Sequence, residues 1–119
     1  MKRKKQPIPP SLSPAALALI AGRFKVLADP TRLALLHTLH DGELSVGALV
    51  DRTGGNQANV SKHLAVLMSA GMVSRRKEGN FAYYAISDSA VFEICELVCS
   101  KMAGRFLADA QTLTRAPAR

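Results

Sequence analysis

Four helix beginnings stand between residues 13 and 71, and after Gly71 the helical spacing of apolar residues gives way to strand-like alternation. Ser13-Pro14 supplies a capping side chain and a proline at the first helical position, with Leu17, Ile20, Phe24 and Leu27 following at helical intervals. Asp29-Pro30 repeats the signal for a second helix through Leu33, Leu36 and Leu39, expected to stop at Gly42. Ser45 caps a third helix over Val46 to Arg52, ended by "TGG", and Asn56 caps a fourth over Gln57 to Ala70, ended by Gly71. In "MVSRRKEGNFAYYAIS", two runs rich in valine, isoleucine and aromatic residues flank "KEGN", where Gly79 and Asn80 are expected to take the positive dihedrals of a hairpin turn. Asp88 then caps a last helix whose stripe of Val91, Cys95, Val98, Met102 and Phe106 is wider than one short domain can cover. Helix, helix, helix-turn-helix, hairpin, helix is the order of a winged helix-turn-helix: mainly α with a two-stranded β-wing.

A chain of 119 residues fits one compact domain, and at this size a core is often completed by pairing. The expected organisation is a disordered basic arm over residues 1–12, a winged helix-turn-helix domain over 13–113, and a frayed tail over 114–119. No apolar run is long enough to span a bilayer, and no apolar signal region follows the N-terminal basic residues, so a cytoplasmic protein without membrane contact is expected. Two cysteines are too few for a disulfide scaffold.

The net charge of +7 has an uneven origin. Lys2, Arg3, Lys4 and Lys5 lie on the arm, while Arg52, Lys62, Arg75, Arg76 and Lys77 occupy a stretch from 52 to 77 that contains no acidic residue. A basic surface with a location points to a polyanion such as nucleic acid, although a charged face kept for solubility has the same composition. The fourth helix sharpens the choice. Asn56, Gln57, Asn59, Ser61 and Lys62 fall in its first turns, where short polar side chains reach base edges in a major groove and the helix N-terminus approaches a phosphate. Val60, Leu64, Leu67 and Met68 are expected to anchor the opposite face. For Gln57 and Asn59 the alternative role is helix capping. Arg75, Arg76 and Lys77 on the wing are placed to touch phosphate or the minor groove. Tyr83 and Tyr84 alternate across their strand, so one packs inward; Tyr84 is taken as the one facing DNA. Nucleophile-base pairs, phosphate-binding glycine loops and spaced carboxylates are absent from the sequence, which argues against an enzyme.

"FKVLADPTRLALLHTL", "QANVSKHLAVLMSAGMV" and "RRKEGNFAYYAI", in this order and spacing, resemble the ArsR/SmtB family of small bacterial transcriptional repressors over about residues 17 to 105. The resemblance implies a homodimeric winged helix joined through its first and last helices. It also implies binding to a double-stranded DNA operator that an inducer relieves. His63 stands at a position the family also fills with histidine, and packing or phosphate contact suits it better than metal binding. Arg32 in "DPTR" matches the family's structural start of the second helix and is expected to cap a carbonyl or pair with an acid.

This sequence departs from the family where many members sense metals. The stretch that carries a Cys-x-Cys in such members reads "ELSVGAL" here, with Ser45 and Gly47 in those places, and the last helix has no histidine. The two cysteines that remain, Cys95 and Cys99, are one turn apart. Their Cβ atoms, roughly 5 to 6 Å apart in a helix, are too distant for an unstrained disulfide. One soft centre can bridge both thiolates, so trivalent arsenic, trivalent antimony or another soft metal fits the spacing, and the resemblance permits sensing of a persulfide or oxidant as well. Plain packing as small buried hydrophobes is the competing reading. His37 and His40, three apart and close to Asp41, could bind a metal, but two histidines on a helix flank are more often half-exposed bystanders.

Overall fold

A computed structural model describes residues 7–9 and 11–115. The described order is α1 (Pro14–Leu27), α2 (Pro30–Leu39), β1 (Leu44–Ser45), α3 (Val46–Thr53), α4 (Gln57–Ser69), β2 (Val73–Glu78), β3 (Phe81–Ile86) and α5 (Ser89–Arg115). The cap signals are used as the sequence states them. Ser13 Oγ accepts from the Ala16 amide, Asp29 Oδ1 from Arg32, Ser45 Oγ from Ala48 and Asn56 Oδ1 from Asn59, each satisfying an amide that the first helical turn leaves without a partner. Gly54 (φ 77°) closes α3 in the left-handed conformation, where a Cβ would be strained, and its amide donates to the Val50 carbonyl.

Packing centres on three helices. Leu35, Leu36 and Leu39 of α2, Leu49 of α3, and Val60, Leu64 and Leu67 of α4 are fully enclosed together with Met72, and Leu27, Val73, Tyr84, Val91 and Cys95 close the cluster. No polar or charged residue is buried among the described residues, so apolar transfer, about 25 cal/mol per Å² removed from water, dominates the cohesion. Arg23 of α1 binds two elements at once: one guanidinium nitrogen donates to the Ala70 carbonyl at 2.9 Å and the other pairs with the Asp88 carboxylate.

Several sequence expectations are corrected. The expected two-stranded hairpin of β2 and β3 is present but gains a third strand, in the order β1-β3-β2, because Leu44 and Ser45 pair antiparallel with Tyr84 and Tyr83. A strand of two residues is too short to show any periodicity. Helix α2 ends at Leu39 rather than running to Gly42, with His40 donating its amide to the His37 carbonyl. In the hairpin only Gly79 has a positive φ (62°), and Asn80 does not. Glycine at the first loop position and an ordinary residue at the second is the type II′ arrangement, which joins two strands as well as the expected turn does. Helix α5 runs over Ser89–Arg115. Met68 is exposed instead of anchoring α4. The basic cluster Lys2–Lys5 lies outside the described residues.

Candidate nucleic-acid interface

Helix α4 is held from one side only. Val60, Leu64 and Leu67 recur at intervals of four and three and point into the core, which leaves Gln57, Asn59, Ser61 and Lys62 exposed on the N-terminal half of the other side. Because Asn56 already caps the helix, Gln57 and Asn59 are not occupied with capping, and their side-chain amides face solvent. The Asn56 side-chain oxygen is itself spent on the Asn59 amide. His63 lies at the rim of the core. A guanidinium carries only donors, so Arg32, at 3.2 Å, donates to His63 Nδ1 and leaves the histidine's proton on Nε2. Arg32 also donates through Nε to the Val26 carbonyl at 2.7 Å, joining the end of α1, the start of α2 and the middle of α4. The Arg32 amide, and then its nearby charge, hold the Asp29 carboxyl below the ordinary carboxylate range.

The wing stands beside this surface. Cross-strand partners share a sheet face, so Arg76 lies with Tyr83 on one side, while Arg75 lies with Tyr84 and Lys77 with Ala82 on the other. Tyr84, expected on the DNA side, is instead 7 % exposed within the core. The pairing with β1 sets this parity, placing Tyr84 opposite Leu44 and over the hydrophobic cluster. Tyr83 is the outward tyrosine, with Arg76 stacked 5.0 Å from its ring centre. Arg75 and Lys77 are exposed.

Arg76 is engaged differently from its neighbours. Its guanidinium grips both carboxylate oxygens of Glu43 at 3.0 and 2.8 Å and one of Glu78 at 2.7 Å. The bond to Arg76 holds the Glu43 carboxyl below its usual range, and the two carboxylates push the guanidinium pKa up. Glu43 is the residue that sequence reasoning missed. The signal was there in principle, as the acid next to the two-residue strand, but that strand was not legible.

On α5 the predicted apolar stripe divides. Val91 and Cys95 are buried, whereas Val98, Met102 and Phe106 remain exposed. Cys95 and Cys99 are both free thiols, the first buried and the second half-buried. Burial, and then the neighbouring Cys99, push the Cys95 thiol up. Cys95 belongs to the buried core cluster, and Cys99 lies one turn further along α5. They border a pocket of about 220 Å³ shared with His37 and His40 of the α2 end and with Glu96 and Ser100.

Residues 27–76 match the family described as a helix-turn-helix domain. The nodulation protein NolR of Rhizobium meliloti is 36% identical over 94 residues, covering 79% of this chain and 76% of that protein. The structure of HlyU from Vibrio cholerae superposes with a TM-score of 0.69 at 35% identity, covering 74% of this chain and 96% of that one. The homodimeric winged helix-turn-helix DNA-binding domain of Mb0332 from Mycobacterium bovis, described as a possible ArsR-family transcriptional regulator, matches with a TM-score of 0.66 at 35% identity over 83% of this chain and 85% of its own. The chain belongs to the ArsR/SmtB family. It is therefore a DNA-binding transcriptional regulator and not an enzyme.

Within an ArsR/SmtB regulator, the clamp on Arg76 has a measurable consequence. Glu43→Gln together with Glu78→Gln is expected to free this charge, raise affinity for duplex of any sequence and steepen the salt dependence by about one unit of log-log slope. Fluorescence anisotropy across a salt series reads both effects. The Glu43 carboxyl is depressed in the folded chain, so the clamp is complete above the unfolded carboxylate range of about 4.3 and is lost as pH falls through the lower folded value. At neutral pH it is fully formed.

Proposed function

We propose that this regulator acts as a homodimeric repressor that lays α4 into the major groove at each half of a palindromic operator. In this reading Gln57, Asn59, Ser61 and Lys62 contact bases and phosphates, Asn56 and His63 support the helix start and middle, and Arg75, Arg76 and Lys77 flank the groove. The observation that carries it is the exposed polar half-face at the start of α4, uncommitted to capping and adjacent to a basic wing. A thiol-seeking inducer acting at Cys95 and Cys99 would relieve repression. Its class is a trivalent arsenical or antimonial, another soft metal, or a persulfide or oxidant. Paired α5 helices would set the distance between recognition helices, which must match half-sites roughly 34 to 36 Å apart. A coupling of about 1 to 3 kcal/mol between inducer and operator lowers DNA affinity some 5- to 150-fold.

One observation favours a second reading of the thiols. Cys95 is 5 % exposed and its thiol is pushed up, as befits an inert packing residue.

Operator selection from random duplexes, followed by titration, tests both parts. Gln57→Ala and Asn59→Ala are each expected to cost about 1 to 3 kcal/mol on the selected site and little on mixed sequence. Affinity that falls equally on both would remove α4 from base readout. A Cys95→Ser, Cys99→Ser variant should hold the operator in the presence of arsenite, antimonite or persulfide; release equal to that of the parent protein would exclude the cysteine pair.

A further inference from the structure

Three elements meet at Arg32. Its amide donates to Asp29 Oδ1 at the cap of α2 at 3.0 Å, its Nε to the Val26 carbonyl in the last turn of α1 at 2.7 Å, and its Nη1 to His63 Nδ1 on α4 at 3.2 Å. The first two bonds close the turn between α1 and α2. The third reaches the helix that carries the exposed polar half-face, and it decides where a proton sits. A guanidinium has donors only, so Nδ1 must accept and the neutral ring keeps its one proton on Nε2. A proton on Nδ1 would set two N–H groups against each other and open the contact. The opposite edge of the ring is free. His63 Nε2 makes no hydrogen bond among the described residues, yet it is not one of their buried unpaired atoms, so it is open to solvent. Asn59 and His63 are four residues apart and share one flank of α4.

We propose that Arg32 is a positioning residue for DNA binding: it fixes the His63 tautomer and presents Nε2–H, one turn beyond Asn59, as an uncharged donor to a backbone phosphate of the operator. The inference rests on the reading of α4 as the helix that enters the groove. A single N–H offers none of the paired donor and acceptor pattern that tells bases apart, whereas a phosphate oxygen accepts from any donor. The contact therefore sets the depth and register of α4 and carries no sequence preference of its own. An uncharged donor neutralises no phosphate, so it adds affinity without adding to the salt dependence, unlike neighbouring Lys62.

Anisotropy titrations of the full-length protein on the selected operator and on mixed duplex, in a salt series at pH 8, test the assignment. His63→Ala is expected to weaken both by about 10- to 150-fold, the range for a hydrogen bond to a charged group, with the log-log slope unchanged. Lys62→Ala should lower that slope by about one unit. His63→Gln, whose amide nitrogen reaches about as far as Nε2, should recover most of the loss, and the shorter His63→Asn should not. Arg32→Met should lose as much as His63→Ala, and the double variant no more than either alone, because the arginine acts through the ring. Long-range ¹H–¹⁵N correlation spectra of the parent protein should place the His63 proton on Nε2. Parent-like affinity in His63→Ala, a slope that falls with it, failure of the glutamine rescue, additive losses in the double variant or a proton on Nδ1 would each overturn the inference. Should circular dichroism show Arg32→Met unfolded, the His63 series and the parent tautomer decide. If His63→Ala alone binds like the parent while Gln57→Ala and Asn59→Ala weaken the operator, only this inference fails; if all three bind like the parent, the reading of α4 fails with it.

Discussion

Leu64→Ala is expected to lower stability by about 3 kcal/mol and the melting midpoint by roughly 10 to 20 °C, because the removed atoms leave a cavity that the surrounding helices fill only in part. Leu64 is fully buried at the centre of α4, between Val60 and Leu67, where α2, α3 and α4 meet. The same substitution loosens the helix that carries Gln57 and Asn59, so operator affinity should fall more than affinity for mixed duplex. Thermal unfolding by circular dichroism and parallel binding isotherms check the two parts. A loss below about 1 kcal/mol would mean that the site collapses around the alanine and that α4 is held mainly by its neighbours.

The second large effect concerns the exposed apolar surface. Phe24 is 58 % exposed on α1, and Val98, Met102 and Phe106 are 44 %, 41 % and 55 % exposed on α5. Between the two helices, a cleft of about 130 Å³ lined by Ile20, Phe24, Leu27, Val91 and Ile94 joins their apolar faces. Such contiguous surface marks an association site, and a second copy of this chain is the occupant proposed above. Val98→Glu with Met102→Glu places two charges on that face and is expected to give a folded monomer. Its affinity for a two-half-site operator should drop about 10²- to 10⁴-fold, since each recognition helix then binds without the effective concentration supplied by its twin. Sedimentation velocity and a mobility shift on the palindrome measure the change. A variant that remains dimeric and binds as before would take α5 out of the interface.

What could be read from the residues alone was set by the range of the interactions. Ser13, Asp29, Ser45 and Asn56 act on amides three residues away, so their capping roles were visible as local patterns. The orientation of Tyr83 and Tyr84 was not visible, because strand parity depends on register, and register depends here on the two-residue strand Leu44–Ser45. The clamp of Glu43 on Arg76 was hidden for the same reason. The exposed half of α4 followed from its 3.6-residue period, which also misassigned Met68 at the margin of the apolar face. The meeting of His37 and His40 with Cys95 and Cys99 is a long-range result of how α5 lies across α2, and no local pattern encodes it.

Arg23 gives two helix ends a common mount. Its guanidinium holds the Ala70 carbonyl where α4 finishes and the Asp88 carboxylate where α5 starts. One planar group on α1 therefore ties the C-terminal end of α4 to the first turn of α5, two elements that the wing separates in sequence.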